Sequence, residues 1–168
     1  MRIFSRRAHS RSFATSSTLL ALVIGYFALS LYSPATSMAT MTDDSRVSAV
    51  NVWFHTNDDD KDYDTAVAVL VRKPNGEVVA RVSGISGRFN DNADNGPYRL
   101  ELVSQSVTRS EVLSGTTTVA ITPVGHDTWR FNYKIVMSFS DGNPVTRTYP
   151  GIALSESTKE VTFGLGWK

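Results

Sequence analysis

Aspartate is concentrated in one short stretch of this 168-residue chain, "HTNDDDKDYDT", at residues 55–65. Five carboxylates fall within seven positions there: Asp58, Asp59, Asp60, Asp62 and Asp64. They repel one another, and we expect Lys61 and Arg88 to offset little of this charge. Calcium suits such a site because it takes about six to eight oxygen ligands from carboxylates, amides, carbonyls and water. A solvated loop is the other interpretation, because charge runs aid solubility and Asp and Asn are common turn formers.

A second oxygen-rich stretch, "NDNADN" at residues 90–95, favours the calcium interpretation. If consecutive strands run antiparallel, their connections alternate between the two ends of the domain, and both stretches fall at the same end. If residues 104–114 hold no strand, residues 125–127 also reach that end. The sequence therefore predicts calcium binding at this end, by one ion or two, with ligands from two loops. The predicted ligands are Asp58, Asp60, Asp62, Asp64, Asn90, Asp91, Asn92 and Asp94.

Strands are predicted through most of the chain that follows residue 46. The clearest pattern is the stretch 129–139, in which every second residue is large and apolar, so we expect that face to lie in the core. "PNG" at residues 74–76 predicts a hairpin turn, and no segment shows a helical period. These patterns predict an all-β fold, an antiparallel β-sandwich of about seven to eight strands over residues 47–168, with a closed barrel as the alternative.

The first 39 residues are predicted to be a signal peptide. Four arginines precede a thirteen-residue apolar run at 19–31, and small residues follow it. The alternative is an uncleaved N-terminal anchor, although the run is shorter than the roughly 20 residues that a membrane-spanning helix needs. Residues 40–46 form a polar lead-in. The predicted location is therefore secreted or periplasmic, with membrane anchoring as the alternative.

The charge balance changes when residues 1–39 are set aside. They hold four of the 17 basic residues and none of the 16 acidic ones, so the remaining chain carries a formal net charge of −3. Its basic residues are scattered, which argues against nucleic acid as a partner. The chain contains no cysteine, so no disulfide stabilises the predicted exported domain.

The segment "VNVWFHTNDDDKDYDTAVAVLV" at residues 50–71 resembles the start of PLAT domains and, more loosely, of C2 domains. The likeness lies in Thr56, Asp58 and the run Asp64-Thr65-Ala66 before a Val-x-Val strand. Asn57 departs from the family's Gly, and the Thr-Asp order is reversed. The resemblance implies an eight-stranded sandwich that binds calcium at one end, with Asp58 and Asp64 as ligands. It also implies docking of that end on lipid headgroups or a protein, with Trp53 and Phe89 as candidate contacts. Core burial is the alternative for both residues and is the favoured interpretation for Trp53.

Three functional classes remain open. The sequence favours a secreted calcium-binding module that takes a lipid surface, a glycan or a protein partner, with membrane association through the N-terminal segment or the calcium loops. A hydrolase that uses the acidic loops and a structural subunit without metal are the alternatives. The enzyme hypothesis is the weaker one, because residues 40–168 hold only two histidines, His55 and His126, and no G-x-S-x-G or H-E-x-x-H motif occurs.

Overall fold

Nine strands form two antiparallel sheets in the computed structural model, which describes residues 44–166. They are β1 (Val47–Asp59), β2 (Ala66–Arg72), β3 (Val78–Ile85), β4 (Asp94–Arg99), β5 (Glu101–Leu102), β6 (Thr116–Thr122), β7 (Thr128–Phe139), β8 (Val145–Ser155) and β9 (Glu160–Gly164). One sheet has the order β4-β1-β7-β8 and the other β5-β3-β2-β6-β9. The predicted all-β sandwich is confirmed. The chain passes from one sheet to the other at Leu100, between β4 and β5, which contributes to a strand number above the predicted seven to eight.

The predicted signal peptide or anchor at residues 1–39 lies outside the described residues, as does most of the polar lead-in. Among residues 44–166, no helix is long and apolar enough to cross a membrane.

The core lies between the two sheets. Its aromatic part joins β1 to β7: the ring of Phe54 is 5.2 Å from that of Trp129, and Trp129 stacks on Phe131 at 3.7 Å between centroids. The alternating face of β7 is buried along its whole length, as its sequence pattern predicts. The Tyr133 hydroxyl, fully buried, shares a 2.8 Å hydrogen bond with Thr117 Oγ1 on β6 and so links the sheets.

A short helix, α1 (Arg109–Leu113), occupies the connection between β5 and β6. Thr108 caps it in a reciprocal box: its side chain accepts from the Glu111 backbone N–H, and the Glu111 carboxylate accepts from the Thr108 N–H. No helical period marks α1 in the sequence, because five residues are too few to show one. The spacing of Thr108 and Glu111 is the signal that identifies it.

Every strand pair is antiparallel, and β4 and β5 continue in one direction across Leu100. Counted as one run, they leave connections that alternate between the two ends of the sandwich. Because residues 104–114 hold a helix and no strand, the loop before β7 reaches the same end as the two oxygen-rich loops. We call this end the acidic pole and define it as residues 57–65, 86–94 and 123–127. The connections β1–β2, β3–β4 and β6–β7, which form it, all cross from one sheet to the other.

Gly115 connects α1 to β6 and provides a sharp test of how closely this connection packs against the end of β2. A Cβ atom at this position would collide with the backbone carbonyl oxygen of Arg72. We expect Gly115→Ala to lower the free energy of unfolding by about 1–3 kcal/mol, because backbone must shift to admit the methyl group. Gly164→Ala is the matched control, since a Cβ there meets nothing within 4 Å. Urea unfolding that shows equal stability for the two variants would contradict this packing.

Alkaline pH should destabilise the domain through Tyr133. Burial raises the pKa of Tyr133 above its ordinary value of 10.0. As the pH rises, the Tyr133 hydroxyl therefore ionises in the unfolded chain before it ionises in the folded one. The stability that is present below pH 10 is lost as the pH rises toward the folded-state pKa. At neutral pH, Tyr133→Phe should melt at a lower temperature than the unmodified protein, because Thr117 loses its hydrogen-bond partner. As the pH rises to about 11, its melting temperature should fall less steeply than that of the unmodified protein. Parallel slopes for the two proteins would refute the assignment.

Candidate functional site

The two oxygen-rich loops lie side by side at the acidic pole, as the count of strand directions predicts. Lys61 and Phe89 exchange backbone hydrogen bonds of 3.3 and 3.2 Å. The N–H of Asn92 donates to the carbonyl of Asn57 at 2.9 Å, and the N–H of Gly87 donates to that of Tyr63 at 3.1 Å. The backbone thus joins the loops directly.

Lys61 lies at the centre of this pole and is completely buried. Its ammonium donates three hydrogen bonds to backbone carbonyls, at 2.8 Å to Asp62, 2.6 Å to Thr65 and 2.6 Å to Gly87. The ammonium also lies 4.7 Å from the centroid of the Phe89 ring, a cation–π contact. Burial lowers the pKa of Lys61, and attraction by Asp127, Asp62 and Asp64 opposes that shift.

This arrangement corrects the expectation that Lys61 and Arg88 offset little of the acidic charge. Lys61 offsets it from inside, and Arg88 pairs with Asp60 at 3.0 Å. A third basic residue takes part, because Arg130 lies 3.8 Å from both Asp58 and Asp59. The sequence does not indicate this pairing, because Arg130 is distant in the chain and reaches β1 only through the β1–β7 register.

The predicted calcium ligands are spread over the pole. Asp58 and Asp60 face arginines, and Asp94 pairs with His55 at 2.9 Å. The remaining predicted ligands are exposed: Asp62, Asp64, Asn90, Asp91 and Asn92. Over residues 44–166, no group of three or more His, Asp or Glu side chains is placed to hold a metal ion. Calcium binding stays a prediction.

Asp127 is a member of the pole that the ligand prediction left out. It is 4 % exposed, and its Oδ1 accepts a long hydrogen bond, 3.5 Å, from the backbone N–H of Asp62. Within the described part of the chain, Asp127 Oδ2 and the buried Thr65 Oγ1 have no hydrogen-bond partner. Two unpaired oxygens therefore lie in the loops that surround the Lys61 ammonium.

A second candidate site lies on the outer face of the four-stranded sheet. There an open groove of about 540 Å³ is lined by Trp53, His55, Asp94, Gly96, Asn132, Tyr133, Lys134 and Thr148. We call it the outer groove. Trp53 is half-buried and points outward, because the alternate residues of β1 fill the core. Phe89 is 2 % exposed. Of the two aromatic residues that the sequence offered as contacts, Trp53 is the one that a ligand can reach.

The backbone of β4 holds Trp53 in place. Gly96 lies beside it with a φ of +122°, and a Cβ there would be 2.8 Å from the Val52 carbonyl and 3.2 Å from Trp53 Cδ1. Only glycine suits both that backbone conformation and that spacing. The pairing of β1 with β4 also shifts register between Val52 and Phe54, at this same point. The indole is therefore a fixed feature of the groove.

Polar groups surround the indole. The ammonium of Lys134 lies 4.4 Å from the centroid of the ring, and Lys134 forms no ion pair with any other residue in 44–166. The amide of Asn132 is fixed by bonds from its Nδ2 to Asn57 and from the Gly151 N–H to its Oδ1. The His55–Asp94 pair lies at one end of the groove, with 42 % and 86 % of the side chains exposed.

Comparison with known proteins adds no family to this description. No protein-family model matches the chain. No curated protein shows significant similarity to it. The resemblance to PLAT and C2 domains therefore rests on the residues of 50–71 alone. The fold and the two candidate sites define the class of this protein: it is an antiparallel β-sandwich with an acidic pole and an aromatic groove.

Asp127 should matter more to stability than any exposed carboxylate of the pole. We expect Asp127→Asn to lower the free energy of unfolding by about 1–3 kcal/mol, because it removes a buried negative charge next to a buried ammonium. Asp91→Asn, an exposed site in the second loop, should change stability by less than about 0.5 kcal/mol. Denaturant unfolding of both variants checks this. Equal effects would show that Asp127 does not balance Lys61.

Proposed function

We propose that the chain is an exported binding module and that its outer groove takes a glycan. The observation that carries the proposal is Trp53, an outward-facing indole held rigidly among hydrogen-bonding side chains. The C–H face of a sugar ring is apolar and its hydroxyls are polar, so a flat aromatic surface with polar neighbours matches it on both counts. Export is proposed from the basic, apolar and small-residue order of residues 1–39.

The size and shape of the groove support a glycan over a protein partner. Its volume of about 540 Å³ lies within the roughly 300–1,000 Å³ range of small-ligand sites. A stable protein interface buries about 800 Å² on each partner around an apolar core. Tyr133 is fully buried, so Trp53 is the one aromatic side chain that the groove's lining exposes, and the groove lacks such a core.

A lipid surface is disfavoured by the charge and the exposed side chains. The acidic pole would be repelled by anionic headgroups. Among residues 44–166 the exposed large apolar side chains are Tyr63, Val103 and Val124, which lie in three separate segments of the chain. Two of them, Tyr63 and Val124, belong to loops of the acidic pole, so insertion of these side chains would bring the pole's aspartates to the headgroups.

Another depression, of about 650 Å³, lies near Ser48, Arg99 and Gln105. Its lining contains no aromatic side chain, so it has no surface on which a sugar ring can stack. The outer groove is the better candidate for this reason.

Lys134 points to the kind of sugar. Its ammonium rests on the Trp53 ring and has no carboxylate partner in the described part of the chain. A ligand carboxylate can draw the ammonium off the ring and leave the indole face to the sugar. We therefore propose glycans that contain acidic sugars as the preferred ligands.

The test is binding of the purified protein to immobilised neutral glucans and to polyuronates, followed by calorimetry on the best ligand. We expect Trp53→Ala to weaken binding about tenfold or more, since burying an aromatic side chain contributes about 1.5–3 kcal/mol. Lys134→Met should reduce the preference for polyuronates, and Gly96→Ala should weaken binding by displacing the indole.

Tyr63→Ala is the matched control, because Tyr63 is a 74 % exposed aromatic residue that lies outside the outer groove. It should bind as the unmodified protein does. Equal losses for Trp53→Ala and Tyr63→Ala, or no glycan binding at all, would refute the proposal. Binding to liposomes that Trp53→Ala leaves intact would instead assign the protein to the lipid-binding class.

A further inference from the structure

We propose that the acidic pole is a cation site and that its cation is the ammonium group of Lys61. This inference is independent of the outer groove. The Lys61 ammonium takes the place in which the sequence suggests a divalent ion.

The ligands of the ammonium are those that a metal ion would take. The three carbonyl oxygens come from two separate loops, at Asp62, Thr65 and Gly87, and converge to within 2.6–2.8 Å of one nitrogen. Calcium binds carbonyl oxygens at only slightly shorter distances, about 2.3–2.6 Å. An ammonium has three donors and no acceptor, so this cage uses its full hydrogen-bonding capacity.

The surrounding charges are also those of a cation site. Asp127, Asp62 and Asp64 attract the ammonium, and Asp127 is buried with it. No other lysine or arginine among the described residues is completely buried. The pole therefore combines one interior positive charge with the carboxylates that balance it.

The unpaired oxygens give an independent sign of a cation site. Asp127 Oδ2 and Thr65 Oγ1 are buried and have no partner among residues 44–166, whereas buried polar groups are usually hydrogen-bonded. Both atoms belong to the loops that form the acidic pole. Removing the lysine side chain would leave the three carbonyls without their donor, in addition to these two unpaired oxygens.

Substitution of Lys61 tests the inference. Lys61→Gly empties the cage, so we expect a lower melting temperature in chelator that calcium restores. At about 100 times the dissociation constant, calcium should raise the ratio of folded to unfolded protein about 100-fold. Lys61→Met fills the same space without charge, so it should be destabilised to the same extent with or without calcium. Lys159→Met, at an exposed lysine, should melt like the unmodified protein.

A measurement on the unmodified protein keeps the inference testable even where a variant does not fold. Nitrogen-15 NMR of the lysine side chains should show one ammonium whose protons exchange slowly with water, because carbonyls bind all three. That signal should be absent from Lys61→Met if the variant folds, and unaffected in Lys159→Met. The melting temperature of the unmodified protein should be the same in calcium and in chelator.

Three results would overturn the inference. The first is a saturable rise of the unmodified protein's melting temperature in calcium that Asp62→Asn or Asp64→Asn abolishes, which would make calcium the cation of the pole. The second is unchanged stability of Lys61→Met. The third is the absence of a slowly exchanging ammonium signal from the folded protein.

Discussion

The contact between the Lys61 ammonium and three backbone carbonyls governs one end of this sandwich. A lysine that loses all its water must find a partner for every donor, because an unpaired buried charge costs several kcal/mol. Here the partners lie on the β1–β2 and β3–β4 connections, and both connections pass from one sheet to the other. One side chain thus fixes the spacing of two crossovers, and with it the distance between the sheets at the acidic pole.

The outer groove depends on the same strand that leads into the pole. β1 places Val52 and Phe54 in the core and therefore presents Trp53 and His55 to solvent. Because β1 is paired on both sides, with β4 and β7, its outward residues meet neighbours from two strands. The groove is consequently built on the rigid interior of a sheet, whereas the acidic side chains project from loops. A binding surface on such a scaffold needs little reorganisation when a ligand arrives.

The fold was more predictable from the sequence than the site. Period-two patterns identify strands because alternate side chains meet different environments. The core burial favoured for Trp53 is wrong, because the same alternation in β1 puts its side chain on the outer face. The aspartate run marked the pole correctly. Its central residue was missed because a lysine among five aspartates looks like a surface counter-charge. Burial of Lys61 depends on carbonyls at Thr65 and Gly87, and a backbone oxygen leaves no trace in the side-chain sequence.

An ammonium on the chain and a bound calcium ion can both offset the repulsion among the aspartates of the acidic pole, but with different consequences. An ion must be drawn from the medium, so the order of the loops would follow the calcium concentration. An ammonium on the chain is always present at its site, and it loses its charge only when the pH approaches its pKa.

The ammonium brings one positive charge where calcium brings two, so other basic side chains must balance part of the acidic charge. Arg88 and Arg130 do this for Asp58, Asp59 and Asp60. This arrangement explains how a cysteine-free sandwich keeps an aspartate-rich loop folded. A buried lysine balances part of the negative charge from within, and two arginines balance another part from the surface.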